Sequence, residues 1–168
     1  FTQLDILTAK SQPAKEDFRF LSDEVPRNHV MLNYFFSRLT SPEWLEGLRA
    51  DGFFKYPPAP EYDEEGRPVS FSLWPASRYL IRVAAAAPSR VMAVVRQIPP
   101  TKNPHVYEDL VDAMTKMPPE VAVLLVDDAI KWFESSGHPF QLPEKLGSLM
   151  AYLAKGGQVN AALRLAKV

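Results

Sequence analysis

Three histidines, His29, His105 and His138, are the imidazoles this chain has for base catalysis or metal binding, and they are scattered along it. No HxxxH or HExxH spacing sets two of them on one helix face, so capping or surface roles are expected and a metal site is not. Asp127 and Asp128 form a carboxylate pair inside an otherwise apolar helical stretch. Adjacent residues on a helix point about 100° apart, so the two cannot act on one substrate as acid and base. An ion pair with Lys131, or with a basic residue of a neighbouring helix, is the reading. Asp63-Glu64-Glu65 lacks the alternating ligand spacing of a calcium loop and reads as a solvated tip. The glycines form no GxGxxG or GxxxxGK[ST] phosphate cradle and the serines no GxSxG elbow. With no cysteine there is no thiol nucleophile, thiolate zinc site or disulfide. No catalytic residue, cofactor or metal is expected.

What remains is binding chemistry. Arg78 and Arg82 share a helical face, and Arg90 and Arg96 lie on the helix after it, so the four could form a phosphate-binding stripe. Against that, 19 Lys and Arg balance 20 Asp and Glu to a net charge of −1, leaving no global attraction to nucleic acid or anionic lipid. Phe53, Phe54, Tyr56, Tyr62, Phe71 and Trp74 cluster among prolines. Such aromatics either glue a long loop to the fold or anchor a partner. Glue is the preferred reading, with Phe53, Tyr56 and Trp74 as the partner-contact candidates.

The elements that position these residues are helices set off by proline. Pro42, Pro88 and Pro118 each stand between two apolar helical stretches, and the positions aligned about them are apolar: Tyr34/Phe35, Leu80/Ile81 and Leu110/Val111 before, Leu45/Leu48, Val91/Val94 and Val121/Leu124 after. Asn28 is expected to cap a helix to Leu39, Ser41-Pro42 to open one that stops at Gly52, and Asn103-Pro104 to open one to Met117. Pro118-Pro119 should start the longest helix, to about Ser136, apolar nearly all round at Val121–Val126. Gly156-Gly157 replaces proline in a fourth pair, from Leu142 to Lys155 and from Gln158 onward. Residues 1–27 read as a short helix and an N-terminal arm or cap. Residues 52–74, with Pro57, Pro58 and Pro60, interrupt the rhythm as a long ordered excursion.

The helix–proline–helix rhythm of 28–168 resembles HEAT and armadillo-like repeats, and Trp74-Pro75-Ala76-Ser77-Arg78-Tyr79-Leu80 looks like helical-repeat regions of large bacterial multidomain proteins. The resemblance implies an all-α, irregular HEAT-like α-solenoid of about four antiparallel helix pairs in a right-handed stack, one domain over 28–168. The chain opens at Phe1 and stops within the apolar pattern Leu163–Val168, which reads as a piece of a longer protein. No apolar run is long enough to span a membrane, and the cytoplasm is the expected compartment. The expected function is a non-catalytic scaffold or protein-binding module whose partner is another protein or another domain of the same chain. Arg49, Arg96, Asp127, Asp128, Lys131 and Arg164 are the candidates on the surface lined by the second helix of each pair. A nucleic-acid-binding solenoid using the arginine stripe, with Trp74 or Trp132, is the alternative. A hydrolase would need His105, Asp128 and a serine to converge.

Overall fold

The computed structural model describes residues 1–25, 29–137 and 140–168. These residues are mostly helical, and among them the only sheet is a two-stranded hairpin. The helices are α1 (Thr2–Thr8), α2 (Lys15–Glu24), α3 (His29–Arg38), α4 (Leu45–Ala50), α5 (Pro75–Val83), α6 (Pro88–Val95), α7 (Pro104–Lys116), α8 (Pro119–Ala122), α9 (Val126–Ser135), α10 (Leu142–Lys155) and α11 (Val159–Ala166). Two strands, β1 (Glu61–Tyr62) and β2 (Pro68–Ser70), pair antiparallel inside the 52–74 excursion.

Proline opens α5, α6, α7 and α8, where its missing N–H has no helical acceptor to lose. Ser41 accepts a hydrogen bond from the Glu43 N–H at the head of the 3-10 turn Pro42–Trp44 that leads into α4. Gly52 and Gly157 follow the ends of α4 and α10 with φ of 81° and 84°, a left-handed turn that favours glycine. The expected cap Asn28 and the histidine His138 lie outside the described residues.

One run of contacts goes from α1 to α3, α5, α7, α10 and α11, and a second links α4, α6 and α8. The apolar positions aligned about the prolines make much of the core between them: Phe35, Leu80, Leu110 and Val111 on one side, Leu45, Leu48, Val91 and Val94 on the other, all buried. Leu4, Leu7, Leu21 and Val25 of the first 25 residues join the same core.

The third pair departs from expectation. In place of one long helix from Pro118 to Ser136, α8 gives way at Val123–Leu125 to a 3-10 turn, and α9 starts afresh. Valines at 121, 123 and 126 are stiff at χ1 and weaken a helix here. A 3-10 turn has about 3.0 residues per turn against 3.6, so three residues rotate the following face by about 60°. Leu124, expected inward, is 53% exposed, while Leu125 and Val126 take its place at 0%. The stretch is therefore not buried all round, and α10 is the longest of the described helices.

Candidate functional site

The loop between α6 and α7 is held by contacts within the chain. Pro99 and Pro100 stop helix propagation, and Asn103 caps α7 by accepting the His105 N–H at 3.1 Å. The same side chain, fully buried, donates from Nδ2 to the carbonyls of Pro58 (3.0 Å) and Ser72 (2.8 Å). One amide thus fastens both ends of the excursion to the head of α7. Thr101 N–H donates to the Tyr107 hydroxyl at 3.0 Å, and Thr101 Oγ1 accepts from the Asn103 N–H at 3.1 Å, which sets the loop over α7.

Tyr107 in turn stacks on Trp132 of α9, ring centroids 5.8 Å apart and planes 11° from parallel. Beside this pair lies a cavity of about 360 Å³ whose wall carries Arg96, Asp128 and Lys131. Arg96 donates to the Leu124 carbonyl at 2.8 Å, and its Nε lies 3.8 Å from Asp128 Oδ2. The 3-10 turn that exposes Leu124 also presents the carbonyl that steers this arginine. Pro99 and Pro100 are shared with a second cavity of about 380 Å³ under Tyr56 and Tyr62 of the excursion, and Tyr62 and Lys102 with a third of about 310 Å³. The three meet around Pro99–Lys102 as one branched groove.

Arg96, Asp128 and Lys131 thus meet at this groove, and Tyr56 joins them through the shared prolines. Asp127 instead pairs with Arg164 at 2.5 Å, tying α9 to α11 at the surface. Each aspartate therefore takes a base from another helix rather than Lys131. Arg49 lies half-buried on α4 and lines none of these cavities. Phe53 and Trp74 are buried, Phe53 packing on Phe36 and Trp74 on Phe54, so both act as glue.

The arginine stripe is broken up by contacts within the chain. Arg82 donates to the Phe36 and Leu39 carbonyls, capping the end of α3. Arg90 pairs with Glu43 at 3.0 Å. Of the four, Arg90 and Arg96 carry ion pairs, Arg82 is held by backbone carbonyls alone, and Arg78 makes neither an ion pair nor a side-chain hydrogen bond among the described residues.

Other buried polar groups gather in the α5–α7–α10 seam, apart from Asp17 on α2, which pairs with Lys10 at 2.5 Å. Ser77 donates to Asp109 at 2.6 Å, and burial pushes the Asp109 carboxyl up to about 6 against the donor's opposing effect. His105 Nδ1 lies 2.9 Å from Glu108 Oε2, whose Oε1 accepts the Gln141 N–H; Lys145 meets Asp112 at 2.6 Å. His105 is thus held by Glu108 and Asp128 by Arg96, and no hydrogen bond joins either to a serine among the described residues. The Asn103 cap is legible in the sequence, and Arg96, Asp128 and Lys131 are among its candidates, whereas Lys55 and Lys102 are not. Sequence reasoning also missed Tyr107 and the tethers from Asn103, whose partners are backbone carbonyls far along the chain and leave no local signature. The chain matches no protein-family profile, no curated protein and no solved structure.

Proposed function

We propose that the chain is a non-catalytic partner-binding module, a HEAT-like solenoid within a larger bacterial cytoplasmic protein, and that it takes up a segment of another protein in the groove around Pro99–Lys102. The nearest-neighbour contacts along its two runs of helices support the solenoid reading. One observation carries the function: two loops and α9 are braced by hydrogen bonds from the buried Asn103 side chain and by a stacked aromatic pair, and together they frame the groove. Preorganised aromatic walls with charged rims are what protein anchors need.

Selection of a displayed random-peptide library on the chain tests this reading, run in parallel on the variant Arg96→Glu/Lys131→Glu/Trp132→Ala. A shared motif enriched on the natural chain and lost on the variant is expected. No enrichment, or a motif that survives the variant, would count against it. The nucleic-acid alternative asks for free arginines, and Arg82 and Arg90 are committed inside the chain. A salt series with mixed single- and double-stranded nucleic acid tests it, since phosphate contacts give steep salt dependence.

A further inference from the structure

Exposed tyrosine is the feature of the excursion that packing does not explain. Phe53, Phe54 and Trp74 are buried, whereas Tyr56 and Tyr62 stand 76% and 50% exposed. Both line the cavity of about 380 Å³, and its other walls are largely pyrrolidine rings, Pro57 and Pro60 from the excursion and Pro99 and Pro100 from the α6–α7 loop. Neither phenol hydroxyl makes a hydrogen bond among the described residues.

That lining selects the backbone geometry of an occupant. Strand addition needs alternating N–H donors and carbonyl acceptors along an edge, and proline has no N–H to offer. The Pro58 carbonyl is already held by Asn103, and β1 and β2 are only two and three residues long. A polyproline II segment needs no such ladder. Its backbone has no internal hydrogen bonds, so its carbonyls remain free to accept, and its stiffness lowers the entropy lost on binding. Its pyrrolidine rings pack on aromatic faces while phenol hydroxyls donate to its carbonyls, and Tyr56 and Tyr62 can do both. Lys55 and Lys102 line the same cavity and make no ion pair among the described residues, so the rim favours carboxylates.

We propose that this branch of the groove binds a proline-rich segment of a partner protein in the polyproline II conformation, with acidic residues beside the proline run meeting Lys55 and Lys102. The inference rests on the partner-binding reading and adds the chemical class of the partner.

The test titrates the whole chain with a fluorescently labelled peptide of about twelve residues, glutamates followed by an unbroken proline run. A charge-matched peptide with glycine and serine in place of proline, and a labelled oligothymidylate, serve as the other probes. The proline peptide is expected to bind at least about tenfold tighter than the charge-matched one. Tyr56→Ala/Tyr62→Ala should erase that advantage while leaving the circular dichroism spectrum unchanged, since both side chains are exposed. Lys55→Glu/Lys102→Glu should weaken binding of both peptides. Equal binding of the two peptides would reduce the site to charge and overturn the inference, and tighter binding of oligothymidylate would make it a nucleic-acid surface. Failure of the proline peptide to bind overturns it as well. The library selection then separates the two failures: an enriched motif without proline leaves partner binding standing and removes only the polyproline class.

Discussion

Asp109→Asn should stabilise this protein at neutral pH, by an amount that depends on pH in a specified way. The carboxyl sits between α5 and α7, 9% exposed, with the Ser77 hydroxyl 2.6 Å away. Burial raises its pKa from 3.8 to about 6, so the folded chain holds this proton more tightly than the unfolded chain does. Stability from this group is therefore greatest below pH 3.8, falls as pH rises through the window to about 6, and is level above it. The displacement corresponds to about 3 kcal/mol at pH 7. Asparagine keeps the shape and an acceptor for Ser77 but cannot ionise. The difference in unfolding free energy between variant and natural chain should then climb from near zero at about pH 4 towards about 3 kcal/mol at pH 7, an upper bound because the asparagine amide brings N–H donors of its own. Urea unfolding followed by circular dichroism across that range measures it. Ser77→Ala should act in the opposite sense, destabilising by about 1–3 kcal/mol at pH 7, because it removes the donor that favours the carboxylate. A difference that stays flat with pH, or an asparagine variant less stable than the natural chain at pH 7, would refute the reasoning.

Asn103→Ala removes a helix cap and leaves the Pro58 and Ser72 carbonyls without their donor, so a loss of roughly 2–4 kcal/mol is expected. Limited proteolysis should then cut within 61–70. Asn103→Asp, which keeps the cap acceptor but not the Nδ2 donors, should still free the excursion. Two glycines give a matched contrast. A Cβ at Gly156 would stand 2.4 Å from the Pro119 ring, so Gly156→Ala should cost about 1–3 kcal/mol in thermal or urea unfolding. Gly147 in α10 faces open space, and Gly147→Ala should raise stability by up to about 1 kcal/mol.

Helix starts were legible because proline acts locally. Its ring fixes φ and its missing donor suits a first turn, so Pro75, Pro88 and Pro104 mark helix starts wherever tertiary contacts go. The break at Val123–Leu125 was not, since Leu124 and Leu125 are the same residue type and only packing decides which one faces in. Asp127 and Asp128 could be read as ion-pair partners from their place on an apolar helix, but Arg164 and Arg96 as their counterparts depend on how α9 lies against its neighbours. The aromatic cluster also divides along lines that composition does not draw. Phe53, Phe54 and Trp74 fill the core, while Tyr56 and Tyr62 face outward, and the tyrosine hydroxyl is the one hint of that split. Asn103 illustrates the limit most clearly: its capping role follows from the proline after it, but its bonds to Pro58 and Ser72 span 45 and 31 residues.

The central claim is that the groove around Pro99–Lys102 receives a protein segment. Amide chemical-shift mapping of the isotope-labelled chain, titrated with the peptide enriched by library selection, tests it most directly. The account predicts saturable shifts confined to Lys55–Tyr62, Arg96–Lys102 and Asp128–Ser135, abolished in the Arg96→Glu/Lys131→Glu/Trp132→Ala variant. Shifts centred on α3 and α4, or the same map produced by single-stranded DNA at lower concentration, would contradict it.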